Sequence, residues 1–177
     1  MRRWVLLGIV VAVVTAIVAV LSTGLGRDPS VTSSPLVGKA APDFTLAGLD
    51  GPAVTLSALR GQVVVVNFWA SWCTECHEEQ AALDTTWQRY RDSGVVVLGI
   101  DFQDTTAGAR DYVHQKGLSY PVVQDSDSRT ALAYGIRGIP ETFLIDRTGQ
   151  IVDRTIGLLN ADALAGRIDG MLKAGAP

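Results

Sequence analysis

The hydrophobic pattern divides the chain into three stretches. From Trp4 to Leu21 the residues WVLLGIVVAVVTAIVAVL pass without a charge. As a helix this run would measure about 27 Å at roughly 1.5 Å per residue, close to the ~30 Å hydrocarbon core of a bilayer. Arg2 and Arg3 stand just before it, the charge placement that keeps the N-terminus cytoplasmic and sends the rest of the chain outward. The run is longer than the apolar part of a signal peptide, and only Ser22 and Gly24 offer a weak cleavage match. The expectation is a transmembrane signal-anchor over residues 1–22. Residues 23–36 are rich in Ser, Thr, Gly and Pro without hydrophobic periodicity, the composition of a flexible linker. The remaining residues, 37–177, alternate between strand-like and helix-like patterns.

In that third stretch DFTLAGLDGPAVTLSAL reads as two short strands around Asp50 and Gly51. Val63 to Ala70 (VVVVNFWA) is a continuous β-branched and aromatic run, which predicts a strand covered on both faces. Leu83, Trp87 and Tyr90 give helical spacing from Thr74 to about Asp92, stopped by Gly94. A second buried strand is expected over Val95–Phe102, a helix over Thr105–Lys116, a short strand over Tyr120–Gln124 and a short helix over Ser128–Tyr134. Thr142–Asp146 and Ile151–Ile156 form a second hairpin, and Asn160 is the N-cap of a last helix reaching about Lys173. Alternating strands and helices closed by a hairpin and helix predict an α/β fold, a central mixed sheet with helices on both faces.

Composition narrows the function. The 177 residues are 47% hydrophobic and 19% charged, an ordinary globular balance. A net charge of -3 gives no basic surface for a run of phosphates, so no nucleic acid partner is expected. The cysteines are Cys73 and Cys76 only, which excludes a four-thiolate zinc site and a disulfide-stapled miniprotein.

Both cysteines lie in WASWCTECHEE, where strand gives way to helix. Two residues three apart on a helix have Cα atoms about 5 Å apart, inside the disulfide window. Cys73 at the helix start faces free N–H groups and the positive end of the helix dipole, which favour thiolate. Cys76, a turn inside, is the resolving thiol. Glu79 falls three residues further, on the side of Leu83, at the boundary between cleft and core, where partial desolvation would raise its pKa and let it exchange a proton with Cys76. Trp69 is expected in the core and Trp72 on the cleft wall. Other readings compete. CTECH matches a haem attachment signature, with His77 on iron and His114 or Met171 opposite; two Cys and two His suit a metal site; a permanent disulfide would close too small a loop to stabilise much. A helix starting at the cysteines turns His77 away from Cys73, and Glu75, Glu78 and Glu79 crowd the site with negative charge. His77 is therefore expected as a solvated helix residue.

The motifs GKAAPDFTL, VVVNFWASWCTEC and GIRGIPETFLIDRTGQI, in that order and spacing, resemble the thioredoxin superfamily, and within it the membrane-tethered TlpA, ResA and CcmG/DsbE group of thiol-disulfide oxidoreductases. The resemblance runs from about Gly38 to the C-terminus. It implies a thioredoxin fold with an N-terminal β-hairpin and a central αβ insertion from about Thr105 to Gln124. It also implies an extracytoplasmic role, most often in cytochrome c maturation. By the same resemblance Pro140 has a cis peptide bond opposite the cysteines, Ile139 leaves its backbone free for a substrate strand, an acidic residue at the position of Glu79 lines the site, and Glu141 belongs to a PETFLID pattern closest to CcmG/DsbE. Trp72, Ile139, Pro140 and Glu141 are thus the expected substrate-binding residues.

The reaction expected is thiol-disulfide exchange with no diffusible cofactor and no metal. Its substrate is a protein disulfide, with the CxxCH pair of apocytochrome c as the candidate. Re-reduction outside the membrane calls for a membrane-embedded thiol electron donor. The acidic residues beside the cysteines disfavour the thiolate and so favour a reductase. A disulfide-forming oxidase would use the same residues. A peroxiredoxin-like peroxide reductase shares the GKAAPDFTL start but needs a proline and a threonine ahead of its cysteine, where this chain has Phe68 to Trp72.

Overall fold

The structure, a computed structural model, describes residues 2–24 and 35–174, without the side chains of residues 5, 17–24 and 174. The chain divides into two compact units, Met1–Thr32 and Ser33–Pro177. Among the described residues the first holds one helix, α1 (Arg2–Gly24), whose described side chains are exposed. Among the described residues no helix is long and apolar enough to cross a membrane. The expected linker, 23–36, falls mainly on residues 25–34, which lie outside the described residues.

The second unit is built on one seven-stranded sheet. Its strands are β1 (Thr45–Gly48), β2 (Val54–Thr55), β3 (Val63–Trp69), β4 (Val95–Phe102), β5 (Val122–Asp125), β6 (Glu141–Ile145) and β7 (Ile151–Ile156), in the spatial order β2-β1-β5-β4-β3-β6-β7. The pairs β3/β4 and β4/β5 are parallel, and every other pair is antiparallel. The sheet is mixed, as the order of elements predicts, and β1 and β2 form the expected N-terminal hairpin.

The run read as doubly covered is so: all seven residues of β3 are buried. Val63, Val65 and Trp69 enter one core cluster and Val64, Val66 and Phe68 the other, the alternation that a strand's period of two imposes. The first cluster lies under α2 (Thr74–Tyr90), α3 (Thr106–Lys116) and α5 (Ala161–Ala174), through Leu83, Tyr112 and Ile168. The second lies under α4 (Arg129–Tyr134) and the segment carrying Ala41 and Phe44, with Tyr134 against the rings of Phe68 and Phe143.

Helix ends follow the sequence, with one change of mechanism. Thr105 caps α3 by accepting from Gly108 N–H at 3.0 Å, and Asn160 caps α5 by accepting from Ala163 N–H at 2.9 Å. Ser128, expected to open α4, instead adopts a left-handed backbone and makes no cap bond. The buried carboxylate of Asp125 caps α4, accepting from Thr130 N–H at 3.2 Å and Ala131 N–H at 2.8 Å.

On β4, Gly99 leaves no room for a side chain. A Cβ there would lie 2.9 Å from Trp69 Nε1 and 3.0 Å from Tyr120 Cε2. Both side chains are buried and cannot swing aside. Gly99→Ala is expected to lower stability by about 1–3 kcal/mol through overpacking. The denaturant midpoint reads it, and an unchanged midpoint would show slack in this layer.

Candidate active site

Cys73 and Cys76 sit where β3 runs into α2 and are joined as a disulfide with Cα atoms 5.3 Å apart. Cys73 is the N-cap residue, in extended conformation, and its sulfur accepts from Cys76 N–H at 3.2 Å. The sulfur thus occupies the place where the free N–H groups of a helix start receive negative charge. Both cysteines are buried in this oxidised state, Cys73 at 4% exposure and Cys76 at 0%. Cys73 is the outer of the two, as its place in the sequence requires.

The segment ahead of Cys73 is held from the loop after β4. Ser71 N–H donates to Asp104 Oδ2 at 2.7 Å, and the Trp72 indole N–H donates to the Gln103 carbonyl at 3.0 Å. Trp72 keeps its ring at the surface, on the wall of a groove of about 560 Å³ shared with Leu132, Arg137 and Ile139. Trp69 is fully buried. The Ile139–Pro140 bond is cis, Pro140 is buried, and among the described residues the backbone of Ile139 has no hydrogen-bond partner.

Glu79 is more deeply placed than a cleft boundary. It is 2% exposed, and its carboxylate accepts from Asn67 Nδ2 at 2.6 Å and from Leu159 N–H at 3.0 Å. Burial pushes its pKa up to about 7, and the two hydrogen bonds pull only partly against it. Its position three residues after Cys76 puts it on the same helix face. Asn67 also donates to Thr142 Oγ1 at 3.0 Å, tying β3, α2 and β6 together behind the disulfide.

Two expectations need correction. Glu141 does not present its carboxylate to the cleft: it is 1% exposed and paired with Arg154 on β7, on the sheet face of Phe143 rather than that of Cys76. The alternation along β6 decides this, since Thr142 and Glu141 must point to opposite faces. His77 is not a solvated helix residue. It is half-buried, its ring is stacked on Tyr112 with centroids 4.4 Å apart, and Nε2 lies 2.8 Å from the Ser71 carbonyl oxygen. The Tyr112 ring arrives from α3, and no spacing within α2 reveals it.

Asn67 and Asp101 belong to no motif that sequence reasoning picks out, although each is the one polar letter among apolar neighbours in its strand, VVVVNFW and VVVLGIDF. Asp101 is fully buried and accepts from Gln124 Nε2 at 3.0 Å. Burial first, then the charge of Asp104, pushes its pKa up to about 7. Among the described residues no three His, Cys, Asp or Glu side chains converge as a metal ion would need.

This arrangement suits a dithiol-disulfide couple: an N-capping sulfur, a second sulfur within bonding reach, a buried carboxyl with a pKa near neutrality one helical turn on, and an unpaired backbone at Ile139 just ahead of β6. Comparisons with known proteins point the same way. Residues 37–154 match the AhpC/TSA family. A thiol-disulfide oxidoreductase ResA from Bacillus thuringiensis (strain Al Hakam) is 33% identical over 130 residues, 73% of this chain and 75% of the relative. A thiol:disulfide interchange protein DsbE from Allochromatium vinosum is 39% identical over 156 residues, 86% of this chain and 84% of the relative. The crystal structure of a secreted thiol-disulfide isomerase from Corynebacterium glutamicum superposes with a TM-score of 0.69 at 26% identity, covering 75% of this chain and 85% of that one. The chain belongs to the AhpC/TSA family, with a thioredoxin-like fold, and is a thiol-disulfide oxidoreductase of the ResA/DsbE type.

Proposed function

We propose that this protein is an extracytoplasmic reductase of protein disulfides acting in cytochrome c maturation, with the CxxCH disulfide of an apocytochrome as substrate. The observation that carries this reading is Glu79, a buried carboxyl with a pKa near 7 on the helix face of Cys76. A negative charge there costs the thiolates free energy. A less stabilised reduced form means a more reducing couple. The Cys73 thiolate attacks the substrate disulfide, giving a mixed disulfide and one substrate thiolate. Cys76 gives its proton to ionised Glu79 and attacks Cys73, releasing the second substrate thiolate and leaving Cys73–Cys76 oxidised. Two electrons pass from the dithiol to the substrate. Ile139 and Pro140 receive the substrate strand beside the groove walled by Trp72.

The uncharged run Trp4–Leu21 behind Arg2 and Arg3 supports residues 1–22 as the anchor and 23–36 as the linker that lets the domain, 37–177, reach its partners. A membrane-embedded thiol donor closes the cycle. The similar isomerase from Corynebacterium glutamicum is a secreted protein, which favours the outer side of the membrane for this domain.

Equilibration of the full chain with a thiol buffer tests the direction. The couple is expected below the about −180 mV of protein disulfide isomerase, and the reduced chain should reduce a CxxCH disulfide peptide. A couple near the about −120 mV of DsbA would make it an oxidase instead. Protease added outside intact protoplasts should shave off the domain, and protection would overturn the topology.

A further inference from the structure

We propose that His77 is a positioning residue for the dithiol-disulfide couple: its Nε2–H holds the Ser71 carbonyl and so keeps Cys73 poised to close on Cys76. This rests on dithiol-disulfide exchange at the pair and not on the direction in which the cycle runs.

The geometry assigns the proton. A carbonyl oxygen only accepts, so the nitrogen 2.8 Å from Ser71 O carries the hydrogen. The ring is fixed from its other side by Tyr112, stacked at 4.4 Å with 23° between planes, and Tyr112 in turn packs on Trp69 at 5.3 Å. Ser71 is thus gripped at both ends, its N–H by Asp104 and its carbonyl by His77. The two grips differ in what they hold it to. Asp104 belongs to the loop after β4, so its bond ties the segment to the sheet. His77 belongs to α2, the helix that carries Cys76, so its bond ties the approach to Cys73 directly to the helix of its partner.

That difference matters most in the dithiol. While the disulfide is closed, the S–S bond itself fixes Cys73 against α2. Once it opens, residues 70–73 keep their place through non-covalent bonds: those of Ser71 and Trp72, Cys73 N–H on the Ala70 carbonyl at 3.2 Å, and Cys76 N–H on the Cys73 sulfur at 3.2 Å. A segment that stays in its closed-state position presents one sulfur to the other at high effective concentration. A freed segment gains conformational entropy in the dithiol alone. Loss of the His77 bond should therefore favour the reduced form.

Two substitutions separate the bond from the ring. His77→Phe keeps an aromatic ring for Tyr112 and has no N–H to give. His77→Gln gives an N–H and has no ring. In the full chain equilibrated with glutathione, His77→Phe is expected to lower the equilibrium constant for closing Cys73–Cys76 by three- to tenfold, where tenfold is about 30 mV towards oxidising potential. His77→Gln should stay within twofold of the unsubstituted chain. The proposal is overturned if His77→Phe keeps the original constant, or if His77→Gln falls as far as His77→Phe, since a donated N–H at this position would then not hold the couple. Should His77→Phe fail to fold, nitrogen-15 NMR of the histidine-labelled unsubstituted chain decides. His77 and His114 are the only imidazoles, so a His114→Gln sample assigns the signals. A His77 ring with a hydrogen on Nε2 is expected, and one with its hydrogen on Nδ1 alone overturns the assignment.

Discussion

Cys76→Ser is expected to accumulate protein mixed disulfides on Cys73, while Cys73→Ser forms none and Cys76→Ser and Cys73→Ser both lose steady-state turnover by about a thousandfold or more, the scale on which loss of a covalent nucleophile acts. The asymmetry comes from the start of α2. Cys73 is the N-cap, with its sulfur already accepting the Cys76 N–H, so a negative sulfur there meets the positive end of the helix. Cys76 lies wholly inside, below its partner and against the core cluster of Leu83 and Trp69. In the proposed mode of binding, a substrate disulfide laid along Ile139 would reach the outer sulfur first. With serine at 76 the mixed disulfide has no thiol to resolve it and persists. With serine at 73 the remaining thiol is enclosed and lacks the helix-start hydrogen bond. Non-reducing electrophoresis of the two variants after exposure to a disulfide peptide reads the difference, and trapping mainly through Cys76 would reverse the roles.

What the sequence makes visible is what local rules control. The four valines and two aromatics of β3 announce a strand covered on both faces, because only apolar residues on both sides of the pleat allow it. The cysteine spacing announces the disulfide, because helix geometry fixes the Cα separation. Asn160 and Thr105 announce their helices by capping them. The misreadings concern partners that arrive from elsewhere. His77 is half-buried because Tyr112 on α3 lies over it, Glu141 is withdrawn because Arg154 on β7 neutralises it, and α4 is capped by Asp125 from the preceding strand. Asn67 and Asp101 were readable in principle as lone polar letters in buried strands. A buried polar group without a partner costs roughly 1–3 kcal/mol, so its presence in such a run signals a partner or a task. The Asn67 amide nitrogen has its partners in Glu79 and Thr142, while its buried Oδ1 has none among the described residues.

Glu79→Gln is expected to change both stability and rate, each with its own dependence on pH. The folded-state pKa of Glu79 is raised, from 4.5 to about 7, because burial penalises the charged form. Between those values the folded chain holds a proton that the unfolded chain has released, so the contribution of Glu79 to stability is full below about pH 4.5 and is lost as pH rises through about 7. At about 1.4 kcal/mol per pH unit the decline is of order 3 kcal/mol. Asp101, with a carboxyl also pushed up to about 7, adds a decline of its own in the same window. Glutamine carries no charge at any pH and can still accept from Asn67 or Leu159. Glu79→Gln should therefore remove the Glu79 share, leave that of Asp101, and be the more stable protein above pH 8, as urea midpoints across pH 4 to 9 would show. The kinetic effect has the opposite sign. In the proposed mechanism ionised Glu79 takes the proton from Cys76 as the mixed disulfide is resolved, and loss of a general base costs about 10² to 10⁴ in rate. Release of the substrate thiol should slow by that scale near pH 7 and lose the inflection that the glutamate titration imposes on the pH profile. A variant that gained stability at high pH while keeping the original pH profile would leave Glu79 as a buried structural carboxyl with no part in proton transfer.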